Sequence, residues 1–244
     1  MKKETAINFM IYNLIGIDPE TCNEMEEIIE QAIQRAYRDA ASRVLSIKDD
    51  IKDEIKREAA QELKNRVESI KSKPESTESF DSWHRETCEI LYDFFNNDEK
   101  DGIYKANDNR HFTCGIAQKW VNMTMKYLAL IYEAFIGYDY PGKGLKKYVE
   151  WYKDNLYAFE AAFHIPIDSY VIKGLKACHK NDEKITQILS VTWSKWNDYE
   201  KYKKVQDAFR NDLKENEMPL DKENKIWIEI AEKRKAKEQS KSAK

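Results

Sequence analysis

Two short stretches hold the residues best suited to chemistry. Gly115-Ile116-Ala117-Gln118-Lys119 opens one apolar run, and Pro166-Ile167-Asp168-Ser169-Tyr170-Val171 opens another. A glycine turn ahead of a helix leaves backbone N–H groups facing outward, which suits a phosphate. Lys119 falls in the first turns of one helix and Asp168 at the mouth of the other. An amine and a carboxylate meeting in one cleft could cleave an N-glycosidic bond. The carboxylate stabilises a developing oxocarbenium ion, and a desolvated lysine attacks the sugar carbon to give a Schiff base. The plainer alternative leaves Gly115 at the start of a core helix, Lys119 on the surface and Asp168 as an N-cap.

At these residues the chain resembles the helix-hairpin-helix DNA glycosylases. That family carries a Gly-Φ-Gly-x-Lys hairpin entering a helix, then a Φ-Asp element before another helix. Gly115 matches the first hairpin glycine, Lys119 the lysine of bifunctional members, and Asp168 the invariant acid. Pro166, Ile167 and Val171 match the surroundings of that acid. Ala117 stands where the second glycine belongs, Tyr170 replaces a commoner histidine, and no iron–sulfur cysteine cluster is present. Lys119 and Asp168 are 49 residues apart, so the resemblance requires an inserted element around Gly137 to Tyr157. It implies a two-lobed helical fold, duplex DNA as partner, and a flipped nucleotide as substrate. Asp168 would be the essential acid and Lys119 the nucleophile or a substrate-contacting base. Gly115, Ile116, Ala117 and Gln118 would hold the phosphate backbone, with Asn122, Lys126 and Tyr170 completing the DNA contacts. The base would be damaged, or a modified base of an invading phage, which would place the chain in repair or antiviral defence.

Gln118, Asn122 and Lys126 repeat at four-residue spacing and predict one polar stripe, opposite Trp120, Val121, Met125 and Leu128. It either lines the cleft or faces solvent. His84 and Cys88 share a helix face, and His111 with Cys114 precede the hairpin, a set whose chemistry could hold zinc. Without knuckle spacing, buried thiols and bonded histidines are the ordinary reading; no metal and no cofactor is expected. Tyr138, Tyr140, Tyr148, Trp151, Tyr152 and Tyr157, then Trp193, Trp196, Tyr199 and Tyr202, interleave with lysines. They form either a base-stacking surface or core.

Helices must position these groups. The 244 residues include only 7 Gly and 5 Pro, which excludes a turn-rich β fold, and no window alternates with period two. An all-α, multi-helix globular fold follows. Residues 19–73 read as helical almost throughout from a start at Asp18-Pro19-Glu20-Thr21, and charge-dense from Lys48. A polar linker spans Ser72 to Thr77, and a polar loop Asn96 to Asn109. Further helices are expected at about 117–136, 145–163, from Asp168, 193–216 and 222–237. The organisation is an N-terminal helical region 1–78, a main domain 79–230 carrying the candidate site, and a basic tail 231–244, disordered at its end.

Net charge is −3. Residues 1–78 carry 13 Lys/Arg against 17 Asp/Glu, whereas residues 100–180 carry 12 against 8. A basic face on an acidic whole is enough to attract a polyanion. No stretch is long and apolar enough for a membrane span, no signal peptide is apparent, and four dispersed cysteines fit a reducing cytoplasm. Dinucleotide, P-loop, nucleophile-elbow and zincin motifs are missing. The competing function is non-enzymatic: a helical nucleic-acid-binding or protein-interaction module.

Overall fold

Three- and four-residue apolar spacing produces helices along nearly the whole chain. The computed structural model describes residues 3–70, 77–96, 103–105, 108–137 and 142–242. Among these the α-helices are α1 (Lys3–Ile15), α2 (Met25–Ala40), α3 (Lys52–Glu68), α4 (Thr77–Asn96) and α5 (Cys114–Phe135). They continue with α6 (Lys143–Asn155), α7 (Ser169–Cys178), α8 (Glu183–Ser190), α9 (Tyr199–Asn211) and α10 (Pro219–Ser242). Short 3₁₀ turns cover Tyr157–Ala162 and Trp193–Lys195. No strand occurs among the described residues, only an isolated bridge between Ile47 and Tyr104. No helix there is long and apolar enough to cross a membrane.

α5 is the axis. Seventeen of its residues are buried, on every face, as expected of a helix enclosed by neighbours rather than laid on a surface. α2 packs along it most extensively, with α4, α6 and the 193–195 turn around the rest. One core cluster runs from Ile7 to Phe209. The N-terminal region therefore shares its core with the 79–230 part.

Several sequence expectations are corrected. The signal at Asp18-Pro19 starts no helix: the Asp18 carboxylate accepts the Glu20 N–H at 3.0 Å, and its carbonyl accepts from Thr21 and Cys22. An aspartate that captures the following amides makes a turn instead. α1, which carries no strong start signal, precedes it. It ends at Gly16, whose φ of +80° suits a residue without a Cβ. The long helix expected to 73 breaks between α2 and α3, because Ser46 and Lys48 spend their backbone groups on Ile103, Lys105 and Arg110. The helix expected over 193–216 starts later, where the Asp198 side chain accepts from the Glu200 and Lys201 N–H groups and caps α9. α8 was not anticipated. The tail is helical to Ser242. Residues 72–76 of the expected linker, 97–102 and 106–107 of the polar loop, and 138–141 of the glycine-rich break lie outside the described residues.

Candidate active site

Lys119 and Asp168 line the same cavity, about 460 Å³ in volume, a size common for small-molecule sites. Four elements build it. α5, capped by Thr113, carries Lys119, Lys126 and Tyr127. The segment entering α7 supplies Pro166 and Asp168. α2 contributes Arg35 and Asp39, with Arg43 just beyond its end. α10 closes the far wall with Glu223 and Trp227.

Asp168 is both a cap and a wall. Its Oδ1 accepts from the Tyr170 N–H at 2.8 Å and the Val171 N–H at 3.0 Å, while Oδ2 accepts from the Trp227 indole at 3.3 Å. The carboxylate is thereby held in one orientation with its second oxygen toward the cavity rim. Lys119 is 8% exposed, and its ammonium lies 4.5 Å from the centroid of the Trp193 ring. Burial pushes its pKa down against the pull of Asp168, Asp39 and Glu223. A buried lysine short of full compensation holds its proton less tightly and is the better nucleophile.

Opposite it, Glu223 is 1% exposed. Burial pushes its carboxyl up in spite of an ion pair with Lys126. On the third side the Tyr127 hydroxyl donates to Asp39, which also pairs with Arg35 at 3.3 Å. The cavity thus carries four cations and three carboxylates beside Trp227, an aromatic that is 40% exposed. Titratable pairs pushed in opposite directions within one hollow are the pattern of acid–base sites.

The hairpin expectation is corrected. Gly115, Ile116, Ala117 and Gln118 are buried, and none offers an amide to a phosphate. Gly115 N–H donates to the Trp196 carbonyl at 2.8 Å, and those of Ile116 and Ala117 donate to Thr113. A Cβ on Gly115 would stand 1.8 Å from the Trp193 carbonyl oxygen. The glycine is there for close approach of the 193–196 turn, not for a phosphate cradle.

Asn122 is likewise corrected: it is 1% exposed, does not line the cavity, and lies in a buried polar chain. Tyr199 Oη is 2.7 Å from His84 Nδ1, and His84 Nε2 is 2.8 Å from Asn122 Oδ1. Asn122 Nδ2 donates to Tyr202 Oη at 2.9 Å, which is 2.7 Å from His164 Nδ1. His164 Nε2 meets Asp81 at 2.7 Å. Because a carboxylate can only accept, His164 carries its proton on Nε2. Every bond then runs one way, from Tyr199 to Asp81. Arg210 grips Asp81 through two nitrogens at 3.0 and 2.8 Å. Together with His164, it holds that carboxyl far below its ordinary range in spite of burial.

The remaining expectations divide. Lys126 reaches the cavity but is engaged by Glu223. Tyr170 stacks on Trp227 at 5.1 Å and its hydroxyl accepts from Arg234 at 2.9 Å, so it supports the rim from behind. His84, Cys88, His111 and Cys114 do not gather: His111 stacks on Tyr104, and no group of three metal-ligating side chains exists among the described residues. Tyr148, Tyr152, Trp193, Trp196, Tyr199 and Tyr202 are core rather than a stacking surface; Tyr138 and Tyr140 lie outside the described residues. Glu223, Trp227, Arg35, Asp39 and Arg43 escaped the sequence reading. Only Trp227, an aromatic in a highly charged helix, carried a visible signal.

The described residues form an all-α protein in which Lys119 and Asp168 line a shared cavity. In comparisons with known proteins, no family model, no curated protein and no solved structure matches this chain.

Proposed function

We propose that the cleft cleaves the N-glycosidic bond of a nucleotide turned out of DNA, making the chain a DNA glycosylase. The observation that carries this reading is the convergence of Lys119 and Asp168, 49 residues apart in sequence, on one cavity of nucleoside-compatible size. The resemblance to helix-hairpin-helix glycosylases at those same two residues supports it.

In this reading Asp168 faces the anomeric carbon and stabilises positive charge as the C1′–N bond breaks and its electron pair leaves on the base. The Lys126–Glu223 pair on the cavity wall supplies the proton that the departing base takes up. Lys119 Nζ forms the new bond at C1′, losing a proton, and opening of the sugar ring gives the Schiff base, which water later hydrolyses. Trp227 offers a face on which the extruded base can stack.

The test uses duplexes carrying damaged or modified bases, incubated with wild type, Asp168→Asn and Lys119→Gln, then treated with alkali to reveal abasic sites. Base release by wild type that is lost in Asp168→Asn supports the assignment, and borohydride trapping that disappears in Lys119→Gln supports the amine's role. Release undiminished in Asp168→Asn rejects it. DNA binding with no abasic sites from any substrate leaves the non-enzymatic module as the function.

A further inference from the structure

With the hairpin amides buried, the phosphates flanking an extruded nucleotide need another seat. A second groove, about 690 Å³ in volume, runs from the end of α2 across the 109–113 segment to the 194–197 turn. It touches Arg43, Arg110, His111 and Lys195 and is lined by no Asp or Glu, a local positive bias on a chain of net charge −3. Arg110 is held by Asp108 through two nitrogens, whereas Arg43 and Lys195 are exposed and make no ion pair among the described residues. Asn109, Asn197 and Ser194 add neutral hydrogen-bonding groups of the kind that meet phosphate and sugar oxygens.

Arg43 lines both this groove and the Lys119–Asp168 cavity. The two hollows are therefore neighbours that share a cation. We propose that this groove is the seat of the DNA sugar–phosphate backbone, with Arg43 at the junction where the strand turns its nucleotide into the cleft. This rests on the glycosylase reading for the identity of the strand. It assigns the contacts to side chains on the α2 end and the 194–197 turn instead of to a glycine hairpin.

Cation removal gives the test. Fluorescence anisotropy of a labelled DNA duplex is measured against salt for wild type, for Arg43→Gln/Lys195→Gln, and for Lys153→Gln/Lys180→Gln, which removes the same charge from exposed positions elsewhere. Each lost phosphate contact lowers the slope of log K against log salt by about 0.9, so the groove pair should lower it by about 1.8 and weaken low-salt binding about tenfold or more. The control pair should bind within about twofold of wild type. Circular dichroism melts establish that both pairs fold. The proposal is overturned if the groove pair binds as wild type does, if the two pairs lose equally, or if wild type fails to bind the duplex at low salt. Base release is scored separately. A groove-dependent binder that releases no base keeps the seat and removes the cleavage reading; base release by wild type, with the groove pair binding as wild type does, removes the seat and keeps the cleavage reading.

Discussion

Asn122→Ala separates a structural amide from a site amide. In the wild type the Asn122 side chain accepts from His84 Nε2 at 2.8 Å and donates toward Tyr202 Oη at 2.9 Å, the Ile165 carbonyl at 3.0 Å and Gln118 Oε1 at 3.1 Å. Truncation leaves the Ile165 carbonyl served, since Gln206 Nε2 donates to it at 2.8 Å. The His84 N–H, on a ring with no exposure, loses its 2.8 Å acceptor and keeps only the Tyr202 hydroxyl at 3.4 Å. An orphaned buried donor costs about 1–3 kcal/mol. The vacated volume in a packed interior adds about 1 kcal/mol or more. A net loss of about 2–4 kcal/mol follows, which for a chain of this size lowers Tm by roughly 4–16 °C. The assay is thermal unfolding by circular dichroism, run beside DNA binding and base release on the folded fraction. A Tm within about 2 °C of wild type, with binding or release reduced, would refute the buried-chain assignment and return Asn122 to the cleft.

Other outcomes follow from the same structure. His164 is pushed down to about 4 from 6.5 by burial, and His84 is also pushed well down. The unfolded chain therefore binds more protons than the fold between those values. Stability is fully present above pH 6.5 and falls as pH drops toward 4, His164 alone accounting for about 3 kcal/mol. Chemical denaturation at a series of pH values checks this, and a flat profile between pH 7 and 4.5 contradicts it. Gly115→Ala should shift the denaturant midpoint down by more than about 2 kcal/mol in stability with an unchanged m value, because the new methyl meets the Trp193 backbone and not a flexible side chain. Lys119→Met should leave Tm unchanged or higher while abolishing any base release, since it removes a desolvated amine and keeps most of the packing. A fall of several degrees would make Lys119 a structural residue.

The legible part of this protein was helical periodicity and helix starts. Asp168 announces itself by residue type, because capping is local chemistry; the Lys119–Asp168 pairing comes from the resemblance to helix-hairpin-helix glycosylases, since nothing local links two residues 49 positions apart. The Gln118–Asn122–Lys126 stripe was read correctly as a row of polar residues but not in its surroundings. The other members of the buried chain that holds Asn122, His84, His164, Tyr199 and Tyr202, come from distant segments, and nothing local distinguishes a satisfied buried amide from an exposed one. Glu223 was hidden for the converse reason. α10 is charged around its circumference, and one glutamate among many shows no sign of being buried until α5 is laid against it. The property of Gly115 that matters is the Trp193 backbone, 78 residues downstream, that rests on it.

Arg35 and Asp39 reach the cleft from near one end of the chain, while Glu223 and Trp227 arrive from near the other. During synthesis, a nascent polypeptide still missing α10 would lack the wall that Glu223 and Trp227 contribute beside Lys119 and Asp168. The hollow is thus completed only when the last helix has packed against α7.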